Sequence, residues 1–369
     1  MDSVNKAFED LLVLNLCLKR IHWFSSGIPG KEMRKDGDQC ASCGHWSLIL
    51  NGFVEKSTFT MKSLVDACRV GRVDAVRSIV TVYEVDVNSS DPYGWTALHF
   101  AALHNQKETV NCLHVLGAME MATKEGVLPS DMRPELFGKE PEPWQVPDTI
   151  EKLVDELLDY FYPCPVNNPS LLIGRMLRAV DKFGKEMLVS NFIFEEKHGI
   201  IIGARNGWVW SCRLWLELGV DVNIQDEYSL SILHETCYFG HTECTRLLLE
   251  AGANVNIKNR RERTPLFEAC MMNKIECVRL LLNAGADVNA RVADNWSVLH
   301  LSCLMGNPEC VKLLLNAKVD VNARSTARGR TALDIAYSQE RPICIRLLEA
   351  HLEREKDVEA PSAKRQKHV

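Results

Sequence analysis

"GVDVNIQD" at 219–226, "GANVNIKN" at 252–259, "GADVNARV" at 285–292 and "KVDVNARS" at 318–325 set Asn223, Asn256, Asn289 and Asn322 at intervals of 33 residues. The same interval relates Leu233, Leu266 and Leu299, with Leu333 one residue late, and it relates Leu248, Leu281 and Leu314. Several registers at one period mark a chain built of stacked repeats.

Each unit reads as a helix pair. "SILHETCYFG" starts at Ser231, a side chain able to cap a helix, and stops at Gly240, which tolerates a left-handed backbone. "TECTRLLLEAG" follows as a second helix that stops at Gly252, and Pro308 and Pro342 stand where the first turn of that helix begins in later units. Two short helices cannot bury both apolar faces, so stacked neighbours must cover them. Units begin near Met61, Trp95, Gly199, Leu230, Arg263, Trp296 and Arg330.

"TPLFEAC", "GHTECTRLLLEAGANVN" and "TALHFAALHN" resemble the ankyrin repeat. The resemblance implies an all-α ankyrin-repeat solenoid of about seven units, and non-enzymatic binding of a protein partner through the concave face and turn tips. It divides the chain into residues 61–131 (two repeats), 132–198 (an insert) and 199–352 (five repeats). Residues 1–58 have no assigned fold, although Val4 to Leu16 allow a helix, and residues 353–369 form a charged, disordered tail. In the insert, Ile150, Leu153, Val154, Leu157, Leu158 and Phe161 follow helical spacing, with Asp148 and Glu151 as a cap box, and Leu172 to Val180 suggest a second helix. The insert is either a hairpin bridging two repeat blocks or an element that docks a partner.

His234, Cys237, His241 and Cys244 have the spacing of a zinc site. The repeat argues otherwise. Cys237 recurs as Cys270 and Cys303, and Cys244 as Cys277, Cys310 and Cys344, whereas His234 becomes Phe267, His300 and Asp334 and His241 becomes Lys274 and Asn307. Ligands would be kept together, so the thiols are expected to pack between helices and stay reduced. By resemblance, the histidines at 99, 234 and 300 tie one repeat's turn to the next. No period explains Cys40, Cys43 and His45, which leaves incidental thiols, a small zinc-bound module or a redox pair open there. No cofactor is expected.

Phosphate loops, dinucleotide fingerprints, nucleophile elbows and metalloprotease motifs are absent, so no enzyme is expected. Lys and Arg total 43 against 49 Asp and Glu, a formal charge of -6, which gives no global reason to bind nucleic acid or an anionic membrane. No stretch has the length of a membrane span, and acidic residues precede the apolar run at Leu11 to Leu18, so a cytoplasmic protein is expected. Lys364, Arg365 and Lys367 form a weak nuclear-import motif.

The local charge is different. Lys258, Arg260, Arg261, Arg263, Arg291, Arg324, Arg328 and Arg330 fall in successive turns, whose tips should share one edge. They are the candidate contacts for a partner with an acidic segment, against the plainer reading of solvated tips. The resemblance also marks Asn256, Asn289 and Asn322 as candidates for asparaginyl hydroxylation, each with a leucine eight residues upstream. A ubiquitin-ligase substrate receptor and a nuclear transcription cofactor are the alternative roles.

Overall fold

The computed structural model describes residues 60–140, 145–150, 152–153, 156, 169–188, 199–226, 228–326 and 328–363, the side chains of 199, 200 and 356–363 excepted. The chain forms two compact units, Met1–Trp144 with Asn168–Leu177, and Gln145–Asn167 with Arg178–Val369.

In the first unit, α1 (Met61–Val70) and α2 (Val73–Thr81) form one helix pair, and α3 (Ala97–Leu103) and α4 (Lys107–Val115) the next, with α1 packed on α3 and α2 on α4. α5 (Pro129–Met132) begins a third pair. The His99 ring bonds the Val127 carbonyl at 3.0 Å, the place that Arg263 takes for His234 at 2.9 Å, so the expected boundary between 131 and 132 falls inside a repeat. The short helix stops where Pro134 follows: a proline disfavours helical backbone in the residue before it, and Arg133 lies outside the helical region at φ -142°, ψ 75°. A 3₁₀ turn at Pro134–Phe137 follows, and α6 (Pro169–Phe183) then crosses so close to α5 that a Cβ at Gly174 would lie 3.1 Å from the Asp131 carbonyl oxygen.

α6 is the second helix expected in the insert. Of the first, only Ile150, Lys152, Leu153 and Glu156 are described; they are helical and Leu153 is fully buried. The start differs from the expected Asp148 box, since Thr149 Oγ1 accepts from the Lys152 N–H at 3.4 Å. Glu151, Val4 to Leu16, and Cys40, Cys43 and His45 lie outside the described residues.

From residue 199 on, the described residues of the second unit form a row of five helix pairs. The first helices are α7 (Gly199–Asn206), α9 (Ile232–Phe239), α11 (Pro265–Met271), α13 (Val298–Met305) and α15 (Ala332–Ser338), each packed on the next. The second row runs α8 (Val209–Glu217), α10 (Thr242–Glu250), α12 (Ile275–Asn283), α14 (Pro308–Asn316) and α16 (Pro342–Ala363). Leu233, Leu266, Leu299, Leu248, Leu281 and Leu314, the leucines of the period, are at most 1% exposed. Among the described residues, strand is confined to β1 (Arg291–Val292) paired antiparallel with β2 (Trp296–Ser297) in one turn.

Caps begin the first helices as the sequence indicates. Ser231, Thr264, Ser297 and Thr331 each accept a hydrogen bond from the backbone N–H three residues on. Thr264→Ala removes the acceptor for Phe267 N–H and is expected to cost about 1 kcal/mol, read from the midpoint of urea denaturation. An unchanged midpoint would show that the cap contributes nothing.

The last helix departs from expectation. A tail from residue 353 was expected to be disordered, yet α16 runs to Ala363. Its neighbours α10, α12 and α14 end before Gly252, Gly285 and Lys318, all at positive φ; the equivalent position in the last unit is Leu352, which continues the helix. His351 and Glu355, one turn apart at 3.3 Å, lie on the extension. Lys364, Arg365 and Lys367 are outside the described residues.

Candidate protein-docking groove

Two adjacent turn tips are built by one device. Asp226 Oδ1 accepts from Tyr228 N–H at 2.9 Å and Leu230 N–H at 2.7 Å, and Asn259 Oδ1 accepts from Arg261 N–H at 2.9 Å and Arg263 N–H at 3.1 Å. One short carbonyl-bearing side chain thus closes each tip and turns the intervening residues outward. Neighbouring tips are tied together: Arg260 N–H donates to the Tyr228 carbonyl at 3.2 Å, and Gln225 Nε2 to the Lys258 carbonyl at 3.0 Å.

Between these two tips and the first helices lies a groove of about 690 Å³. Arg260, Arg261 and Tyr228 stand at its tip side; Tyr238, Phe239 and Met271 come from α9 and α11. Its two carboxylates are already engaged. Glu235 is held by Arg205 through two bonds of 3.1 Å, and Glu268 lies 3.6 Å from Arg263 and accepts from Asn259 Nδ2 at 3.2 Å. Burial pushes the Glu268 carboxyl up against the opposing pull of Arg263 and Asn259. Arg260 and Arg261 are exposed and enter no ion pair among the described residues, so the accessible charge of the groove is positive.

The eight cations expected to act together are only partly gathered. Arg260, Arg261 and Arg263 line the groove. Lys258 pairs with Glu262 at 2.9 Å, Arg291 with Asp320 at 3.1 Å, and Arg324 donates to the Gly329 carbonyl at 2.8 Å. Those three, with Arg328 and Arg330, stand outside it. Arg205 and the aromatic wall were missed by the sequence reading. An aromatic pair at 238–239 where the next units carry Met271–Met272 and Leu304–Met305 was the signal available.

The residues that imitated a zinc site have separate jobs. His234 Nδ1 accepts from Ser231 N–H at 3.1 Å while its Nε2 donates to the Arg263 carbonyl, and His300 repeats this with Ser297 at 3.2 Å and Arg330 at 3.1 Å. His241 Nε2 donates to the Arg205 carbonyl at 2.9 Å. At the same register Gln106 donates to Arg69, Asn307 to Cys270 and Arg341 to Leu304. At four units of this register a side-chain N–H reaches the preceding unit, although the residues that carry it are chemically unlike; Lys274 holds the same place without such a bond among the described residues. Cys237, Cys270, Cys303, Cys244, Cys277, Cys310 and Cys344 are free thiols, at most 1% exposed. Burial pushes the Cys237 thiol up; it also pushes Cys68 up, there to about 12, with Cys112 adding to the Cys68 shift.

The asparagines form a third ladder. Asn223, Asn256 and Asn289 each accept, at 2.7 to 2.8 Å, from the backbone N–H of Asn254, Asp287 and Asp320 in the next unit. Asn322 is exposed; its backbone N–H donates to Asp320 Oδ1 at 3.0 Å, but its side-chain amide makes no hydrogen bond among the described residues.

No described helix is long and apolar enough to cross a membrane. No curated protein matches the chain. The family model for ankyrin repeats in three copies matches residues 41–120, 200–292 and 290–360. Helix pairs at a 33-residue period, tied by histidine and asparagine ladders and matched over more than half its length, make this chain a member of the ankyrin-repeat family.

Proposed function

We propose that the protein is a docking platform, acting without catalysis, which holds a partner protein by an acidic segment laid against Arg260 and Arg261. Ankyrin repeats are in general protein-interaction modules. The observation that carries the reading is the groove itself: its carboxylates are internally neutralised by Arg205 and Arg263, and its two remaining arginines face outward. Guanidinium forks suit carboxylates, and the tip that bears them is already closed by Asn259, so little order has to be created on binding.

Double charge reversal, Arg260→Glu with Arg261→Glu, is expected to weaken partner capture on the order of tenfold or more, because it sets like charges across the contact. Arg328→Glu, on an exposed tip outside the groove, is the control and should leave capture unchanged. Quantitative proximity labelling of wild type and both variants reads the result. Identical partner sets for wild type and the double reversal would overturn the reading.

A further inference from the structure

We propose that the occupant of this groove is an extended acidic segment that also carries a large apolar side chain, its carboxylate on Arg260 and Arg261 and its apolar group against Tyr238, Phe239 and Met271. The inference rests on the function proposed above and names what the groove selects. A carboxylate on two exposed arginines needs no cavity. The cavity of about 690 Å³ is of the size that encloses a bulky group, and an aromatic side chain is the amino-acid group with the most area to bury there.

The wall is aromatic, partly exposed and held in place. Tyr228 is 58% exposed, Tyr238 36% and Phe239 41%. Tyr238 and Phe239 meet edge to face at 5.1 Å, and Phe239 stacks on His241 at 6.0 Å, which is itself fixed to the Arg205 carbonyl. A wall so braced loses little freedom when covered. The other units of this row do not reproduce it, since the positions of Tyr238 and Phe239 become Met271 and Met272, then Leu304 and Met305. An aromatic pocket beside exposed arginines is the arrangement in which binding energy concentrates at an interface. Charge alone would accept any acidic chain; the pocket adds a requirement for an apolar anchor near the acid.

A random peptide library displayed on phage, selected on the full chain, tests this without knowing the partner. Selected peptides should carry Asp or Glu within a few residues of Trp, Phe, Tyr or Leu. Fluorescence anisotropy of one such peptide should show about tenfold or greater loss for Tyr238→Ala with Phe239→Ala, and a loss of similar size for Arg260→Glu with Arg261→Glu. Tyr228→Ala, at an exposed tip and remote from the core, repeats the test of the aromatic wall should the α9 variant unfold. Peptides that are acidic but lack an apolar anchor, and whose affinity survives the aromatic changes, would overturn the inference and leave the acidic-partner reading standing. Selection of peptides without acidic residues, or none at all, would overturn both.

Discussion

Trp95→Ala removes about 3–5 kcal/mol of stability from the first unit, the largest loss expected of any single truncation there. Trp95 is fully buried, with its ring centroid 5.3 Å from that of His99 and 5.6 Å from that of Phe100. These are the residues that set α3 against its neighbours, and the turn that carries Trp95 is closed by Asp91, whose Oδ1 accepts from the Trp95 N–H at 2.9 Å. Alanine keeps that backbone bond and leaves a void where the indole stood. In a repeat array stability is close to a sum of each unit and its interfaces, so the loss should appear as faster hydrogen exchange in α3, α4 and α1. A change under about 1 kcal/mol in urea denaturation would mean that the site collapses around the gap.

His300→Ala is the second. The imidazole is fully buried and joins Ser297 in its own unit to the Arg330 carbonyl in the next. Removing it leaves the Ser297 N–H and the Arg330 carbonyl without that partner, at a cost of about 2–4 kcal/mol. The geometry also fixes its proton. Nε2 donates to a carbonyl, so Nδ1 must accept from the Ser297 N–H, and a second proton on Nδ1 would point at that donor. Burial lowers the pKa of His300 below 6.5, outweighing the Arg330 and Ala323 carbonyls and Asp320, which raise it; Arg291 lowers it further.

Well above pH 6.5 the ring is neutral in both folded and unfolded chains, and its contribution is fully present. As pH falls through 6.5, the unfolded chain takes up the proton first, so stability declines and the contribution is lost through the folded pKa. His234, lowered mainly by burial against the Arg263 carbonyl and Asp226, acts in the same direction. Wild type should therefore lose stability from about pH 7.5 to 5.5, His300→Ala should lose less over that range, and His234→Ala with His300→Ala less again. Equal slopes for all three proteins in urea denaturation would refute the assignment.

The repeat was legible because stacking imposes the same burial on equivalent positions. Leu248, Leu281 and Leu314 recur at one interval since each fills the same gap between helices, and Ser231 and Gly240 mark helix ends by local chemistry alone. The zinc-like spacing of His234, Cys237, His241 and Cys244 was readable as coincidence for the same reason. What the pattern concealed were positions defined by reach and not by residue type. Gln106, His241, Asn307 and Arg341 share one task, a donor to the preceding unit, and look unrelated in the sequence. The interrupted third pair was hidden too, because its short helix lacks the usual leucine and is identified by the bond from His99 to Val127.

The sequence by itself determined the period, the helix pairs, the buried thiols and the presence of cations in the turns, since each follows from local propensity or from burial repeated every unit. Only the tertiary structure decided which cations act together. Lys258 and Arg291 are neutralised by Glu262 and Asp320. Arg260 and Arg261 are brought beside Tyr228, Tyr238 and Phe239 because stacking places the tips of adjacent units and the ends of their first helices around one groove. Charge pairing and cavity shape depend on distances across units, and those distances exist only once the units have stacked.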